Sequence, residues 1–556
     1  MSERRTEMPA DLIVTGGHVR TQDAAAPRAE AVAVRDGRFV AVGSAREVDP
    51  LRGPRTRVID LDGGMAVPGM ADAHVHPNHG GLAMIRCELH GDPLQRSIDD
   101  YLGVISAYAT ANPERPWILG GGWSMGDFPG GTPRREDLDR ILPDRPVFLP
   151  NRDGHSAWVN SRAMEIAGIT NDTADPYDGR IERDPDGSAT GSLHDGAMDL
   201  VKAHVPETTP TEMIEGLRAG QRYLHMLGLT AWQDAIVEAI DEAAYRALGD
   251  AGELTARVVG ALWWDRHRGL EQIEELIERR SRGPSGRFRP SSVKIMQDGV
   301  LETFTGAMLG PYLGRDGRPT TNRGPSMVEP QLLMEAVTRL DREGFQVHFH
   351  AIGDRAVREC LDAVAAARRR NGPSDTRPHI SHIQVIHPDD IGRFAALDVT
   401  ANAQALWAIH EVQLDELTIP FLGPERSTWQ YPFNALLRSG ARLAMGSDWP
   451  VSSPNPLLEM EHAVTRVLYV GRDAKEPFLP EQRISLDEAL AGFTTGTAFV
   501  NHSEAETGTI EVGKLADLAI LDRDLFAPAA GPIGDAHVVA TIVEGAFVYE
   551  TAELGG

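Results

Sequence analysis

Short apolar runs recur through the middle of the chain, at 66–73, 229–233, 255–263, 292–297, 345–350, 378–383, 399–405 and 442–447. Most are followed by a segment of helical period. In 353–369, for example, Ala356, Val357, Cys360, Leu361 and Val364 fall on one stripe. Strands of a parallel sheet are buried on both faces and read as near-continuous apolar runs. Eight such runs alternating with helices predict an α/β chain built on a (β/α)8 TIM-like barrel.

The two ends of the chain follow a different pattern. Runs at 11–14, 31–34 and 39–42 are punctuated by Gly16-Gly17, Asp36-Gly37 and Gly43-Ser44. Asp-Gly between two β-rich runs predicts a tight hairpin. Strand-like runs return at 517–521, 538–543 and 547–549. Neither end alone has enough strands to bury a core. A small β-sandwich domain formed by both termini, 1–65 with 480–556, accommodates both, and the barrel then takes 66–85 and 206–479. Residues 86–205 are far too long for a loop. Their strand-like runs at 117–119 and 147–149 and helix-like run at 157–167 predict an inserted α/β subdomain after the first barrel strand. It is expected over the C-terminal face of the barrel, where this architecture carries its active sites.

Charge narrows the function. Lys and Arg number 55 against 81 Asp and Glu, a formal net charge of -26, which argues against a nucleic-acid binder and for an acidic enzyme with a small-molecule substrate. Cys87 and Cys360 are the only cysteines, too few for a disulfide framework, so a reducing cytoplasm is expected. Met1 to Pro9 has two arginines with no apolar run behind them, so no signal peptide is expected. No run approaches the length of a membrane helix. A homodimer is compatible with this reading.

The candidate chemistry begins at Val67-Pro-Gly-Met-Ala-Asp-Ala-His-Val-His76. Residues two apart share a strand face, so His74 and His76 project together, which is half of a metal site or a pair of structural histidines. The other strand ends supply Lys294, His350, His382 and Asp448. His348 shares a face with His350, and His379 faces away from His382; the residue nearer the strand end is chosen in each case. Singly, each histidine also reads as a hydrogen-bonded core residue. Asp448 reads alternatively as a helix cap before Asn455. Lys294 is out of place in an apolar strand, since a buried amine must lose its charge or find a partner.

These segments, with Arg152-Asp-Gly-His-Ser-Ala-Trp-Val-Asn-Ser161, Lys294-Ile-Met-Gln-Asp-Gly299, His350-Ala-Ile-Gly-Asp354, Gly446-Ser-Asp-Trp-Pro450 and Gly508-Thr-Ile-Glu-Val-Gly-Lys-Leu-Ala-Asp-Leu518, resemble the amidohydrolase superfamily, in its YtcJ-like (amidohydrolase 3) branch. The resemblance implies one or two divalent metal ions, zinc foremost. His74 and His76 with Asp448 would hold the more buried ion, and His350 and His382 a second. Lys294 would bridge them, carboxylated on its amine. The chain departs from the branch at Ser381, where a glutamate commonly precedes the histidine, and at His194-Asp195.

The implied reaction is hydrolysis of an amide-type C–N bond by a metal-activated water, with Asp448 as the catalytic proton carrier. Trp123, His155, Phe304, Tyr312, Trp407 and Trp449 are candidate walls of the substrate pocket, although ordinary aromatic packing is the favoured reading for each except His155 and Trp449. Deamination and ester or lactone hydrolysis would use the same water activation. A scaffold that has lost its metals is the non-enzymatic alternative, and the retained ligand set argues against it.

Overall fold

The structure, a computed structural model, describes residues 8–90, 96–472 and 476–555, so most of the N-terminal stretch read above lies outside the described residues. Its centre is a sheet of eight parallel strands in sequential order: β1 (Met70–Val75), β2 (Leu229–Val237), β3 (Arg257–Trp263), β4 (Phe288–Met296), β5 (Gln346–Ala351), β6 (His379–His382), β7 (Thr400–Ala403) and β8 (Leu443–Met445). Helices follow the strands and pack on the outside. Asp354–Asn371 behind β5 buries Ala356, Val357, Cys360, Leu361 and Val364, the stripe visible in the sequence.

The seam between β8 and β1 is closed by individual hydrogen bonds. The Asp448 N–H donates to the His74 carbonyl at 2.7 Å and the His76 N–H to the Trp449 carbonyl at 2.8 Å. Asn402 Nδ2 reaches the Ala73 carbonyl at 3.0 Å. Gly446 is required here, because a Cβ would stand 2.7 Å from the His74 backbone nitrogen. This seam fixes the strand end that carries His74 and His76 against the one that carries Asp448.

The termini form two sheets. One runs in the order Arg38–Gly43, Ala31–Arg35, Leu12–Thr15, Arg57–Asp60. The other runs Ala546–Glu550, Val538–Val543, Leu518–Leu521, Met65–Pro68, His18–Arg20, Arg28–Ala29. Val14, Val32 and Phe39 of the first share a core with Ala66, Ile520 and Ile542 of the second. Asp36 and Gly37 make the hairpin with positive φ at both positions, 50° and 75°.

The apolar run 66–73 is not one strand. Met65–Pro68 pairs with Leu518–Leu521 in the terminal sheet, and only Met70–Val75 enters the barrel. Gly69 marks the handover, its N–H bonded to the Asp517 carbonyl at 2.8 Å.

Between β1 and β2 a mixed six-stranded sheet runs Gly179–Arg183, Ala189–Asp195, Ser156–Val159, Val147–Pro150, Ile118–Gly121, Cys87–Glu88. The helix expected at 157–167 is shorter. Residues Ser156–Val159 are a buried strand, and the helix is Ser161–Ala167, with the Asn160 side chain capping it by accepting from the Ala163 N–H. Cys87 and Cys360 are both free and buried. Among the described residues no helix is long and apolar enough to cross a membrane.

Candidate metal centre

Polar side chains at the C-terminal ends of β1, β4, β5 and β6, and just beyond β8, converge on one cavity of about 410 Å³. His74, His76, Lys294, His350, His382 and Asp448 all line it. Two backbone departures aim the last two candidate ligands. His382 and Asp448 have φ of 75° and 58°, left-handed values that turn each chain off its strand axis.

Asp448 is the meeting point. Its Oδ1 lies 3.0 Å from His74 Nε2 and 2.8 Å from His76 Nε2, and its Oδ2 lies 3.9 Å from His382 Nδ1. His74, His382 and Asp448 each offer a ligand atom, all within 4.8 Å of one another. Lys294 Nζ stands 3.4 Å from His74 Nε2. The His350 ring lies 4.3 Å from that of His382, centroid to centroid.

Burial sets the charge states. It would raise the Asp448 carboxyl, but the imidazoles of His74, His76 and His382 hold it well below the usual range. Burial and the neighbouring Lys294 push His74 down to about 3, and burial with nearby positive groups holds His350 and His382 well below ordinary histidine. Burial lowers Lys294 to about 7. Neutral imidazoles beside an ionised carboxylate are the donor set a divalent cation requires. His76 and His382 each keep a buried Nδ1 with no hydrogen-bond partner among the described residues. The donor set therefore fits a metal.

A supporting layer lies beneath. His74 Nδ1 contacts Ser381 Oγ at 2.7 Å and His348 Nε2 at 2.8 Å. Ser381 thus steadies a candidate ligand. His379 lies deeper, bonded through Nε2 to Gln233 Oε1 at 2.8 Å. Asp72 points away from the cluster. Its carboxylate accepts from the Ser447 hydroxyl at 2.6 Å and the His74 N–H at 2.9 Å, and burial pushes it up to about 7. Asp298 accepts three backbone N–H groups, from Ala307, Ile352 and Gly353, and so shapes the loop behind His350.

The other side of the cavity belongs to the insert. Asp153, His155, Asp195 and Asp199 line it. His155 Nδ1 lies 2.6 Å from Asp195 Oδ1. Burial alone would lower His155, but Asp195 raises it to about 9. His194 points elsewhere, its Nδ1 at 2.7 Å from Ser156 Oγ and its Nε2 at 3.3 Å from Glu182.

The aromatic candidates divide. Trp407 lines the cavity with its ring stacked on His382 at 5.3 Å. Trp449 walls an adjoining chamber of about 340 Å³ that shares Trp407 and Val451 with the metal cavity. Trp123 is buried in the insert's own core, its Nε1 donating to the Leu149 carbonyl at 2.8 Å. Phe304 and Tyr312 pack edge to face, with the Tyr312 hydroxyl bonded to the Gly306 carbonyl at 2.6 Å. Neither lines the metal cavity. Glu238, Asp265 and Arg266 do line it, and sequence reasoning passed over them. They follow β2 and β3 directly, so the strand-end rule that found Lys294 would have reached them.

The chain and its fold have known counterparts. The model of the Amidohydrolase family matches residues 57–549. The chain is 30% identical over 546 residues to the YtcJ protein of Bacillus subtilis (strain 168), covering 96% of this chain and 98% of that one. It is 28% identical over 552 residues to N-substituted formamide deformylase of Arthrobacter pascens, covering 97% and 98%. The structure of an uncharacterized metal-dependent hydrolase from Pyrococcus furiosus superposes with a TM-score of 0.70 at 25% identity, over 92% of this chain and 99% of that one. With the match running from the terminal sheets through every barrel strand, the chain belongs to the amidohydrolase family.

Proposed function

We propose that the protein hydrolyses an amide-type C–N bond of a small organic substrate, using one or two divalent ions, zinc foremost. His74, His76, Lys294, His350, His382 and Asp448 would hold them. The observation that carries this reading is the convergence of these buried donors, from separate strand ends, on one cavity. A bound divalent metal supplies Lewis acidity, which makes water acidic near neutral pH and polarises a carbonyl.

The protein's own groups do the rest. Asp448 is held ionised, so it can take a proton from the attacking water and return it to the departing nitrogen. Lys294 resolves its misplacement by carboxylation. Its uncharged amine adds to carbon dioxide and gives up one proton, leaving an anionic group with two oxygens. Its lowered pKa favours the uncharged amine that this addition needs. Trp407, beside His382, and His155, opposite, bound the space where a substrate would lie.

The relative that deformylates N-substituted formamides makes these the first compounds to try. The test is a screen of metal-loaded enzyme against N-substituted formamides, other N-acyl amides, cyclic amides, esters, lactones and aminated heterocycles. Amine release from an amide is expected. Turnover confined to heterocycles with ammonia release would replace the reading with deamination, and turnover confined to esters or lactones with C–O hydrolysis. Absence of bound transition metal after metal-supplemented expression would overturn it.

A further inference from the structure

The barrel accounts for one side of the cavity, and the insert presents a single imidazole to the other. His155 is tied to Asp195 at two points. Its Nδ1 lies 2.6 Å from Asp195 Oδ1, and its carbonyl accepts the Asp195 N–H at 2.9 Å. The two residues sit at the ends of neighbouring antiparallel strands, Ser156–Val159 and Ala189–Asp195, where Ser156 pairs with His194. Asp195 holds a positive φ of 47°, an uncommon conformation for an aspartate and one that the fold must enforce. Its second oxygen, Oδ2, is buried with no partner among the described residues. The His155 N–H is itself fixed by Asp153 Oδ1 at 2.9 Å.

A carboxylate that engages Nδ1 sets the ring plane and leaves Nε2 as the atom available to the cavity. The ring lies 5.6 Å from that of His350, centroid to centroid, so it stands beside a candidate metal ligand and borders the same cavity. A fixed donor there would meet charge that develops on a reacting acyl group, the arrangement in which preorganised hydrogen bonds act most strongly.

We propose that His155 is a catalytic residue contributed by the insert. Its Nε2–H donates a hydrogen bond to the acyl oxygen of the substrate as that oxygen gains negative charge, and Asp195 is its positioning residue. No proton leaves His155 in this role; the one that moves is carried by Asp448. The inference rests on the amide-hydrolysis reading for the identity of the oxygen.

The test compares wild type with His155→Gln and Asp195→Asn. On an amide found by the screen, His155→Gln should lower kcat about 10²-fold with KM little changed, and Asp195→Asn about tenfold. The loss should be the same for amides whose leaving amines differ in basicity. Metal content and thermal midpoint should match wild type. Independently of turnover, acetate and benzoate, whose oxygens carry the charge the donor would meet, should bind the His155→Gln holoenzyme at least tenfold more weakly by calorimetry. Equal carboxylate affinity in wild type and variant, including no binding to either, would overturn the proposal. So would a kcat loss that grows with amine basicity, which marks a proton donor to nitrogen, or a loss of metal, which marks a ligand. If wild type hydrolyses no amide, the functional reading fails, while the carboxylate measurement still decides whether His155 recognises an oxyanion.

Discussion

Two sets of buried histidines occupy this barrel, and they differ in what their ring nitrogens touch. At the mouth, His76 and His382 each keep an Nδ1 without a hydrogen-bond partner among the described residues. Behind them, His225, His379 and His462 use both nitrogens. His225 contacts the Leu229 carbonyl and Thr255 Oγ1, each at 2.8 Å. His379 contacts Gln233 and Asn402. His462 contacts the Leu406 carbonyl and the Tyr469 N–H. Burial is the same in both sets, so burial does not separate a ligand from a core histidine. An unpaired nitrogen at the cavity wall is the better sign, because leaving one in a dry interior costs about 1–3 kcal/mol unless something else engages it. His348 also keeps an unpaired Nδ1 among the described residues but does not line the cavity, while His74 lines it with both nitrogens engaged.

The largest effect belongs to the carboxylate on which the mouth converges. Asp448→Asn should lower kcat about 10³-fold or more, since on the proposed reading it removes both a ligand charge and the proton carrier. Circular dichroism and the thermal midpoint should stay near wild type. A variant that keeps wild-type kcat would show that the convergence of His74 and His76 on Asp448 is structural.

Next comes a direct exchange between the two sets. His382→Ala should cut metal affinity by about 10² or more, and its stability cost in the metal-free protein should be that of lost packing alone, as against Trp407, because its Nδ1 leaves no hydrogen-bond partner stranded. His225→Ala should keep its metal and lose about 1–3 kcal/mol of stability, because it strands the Leu229 carbonyl and the Thr255 hydroxyl. Elemental analysis and urea denaturation of both variants check this. If both lose stability and neither loses metal, the distinction fails.

A smaller effect probes the layer between the sets. Ser381→Ala removes the hydroxyl 2.7 Å from His74 Nδ1. Partners of this kind cost about 10–100-fold in metal affinity when removed. Competition with a chelator measures it. An unchanged affinity would assign the steadying of His74 to His348 alone.

The sequence shows much of the barrel and less of the site, for reasons that lie in particular residues. Parallel strands between two layers must be apolar, so most of the eight runs announced themselves. The run at 66–73 divides at Gly69, where the chain passes from one sheet to another; Pro68-Gly69 signals a turn there, which hydropathy alone does not register. The helix expected at 157–167 began late because Ser156–Val159 is a buried strand whose residues suit either structure. Strand parity placed His74 and His76 together, yet it had no means to place His382, whose φ of 75° takes it out of strand geometry. Trp123, Phe304 and Tyr312 looked like pocket walls because an aromatic residue in a motif carries no mark of which neighbour it packs on. Leu149, the partner of Trp123, and Phe421, the partner of Phe304, lie well along the chain from them, while Tyr312 bonds Gly306 only six residues before it.

The finest probe of the two sets is pH. Burial lowers His225 from 6.5 to about 4. Above pH 6.5 neither the folded nor the unfolded chain protonates it, and it makes no difference to stability. As pH falls from 6.5 to 4 the unfolded chain takes up a proton that the folded protein refuses, so stability is lost across that window. His225→Gln should flatten the fall in unfolding free energy between pH 7 and pH 4.5 by on the order of 2 kcal/mol, read by urea midpoints at the two values. An equal fall in wild type and variant would show that this histidine is not held neutral by the fold. The mouth histidines should behave otherwise. On the proposed reading protons compete there with a metal, so a chelator should remove their share of the pH dependence and leave the share of His225 intact. A chelator that leaves the whole profile unchanged would place the mouth histidines with the structural set.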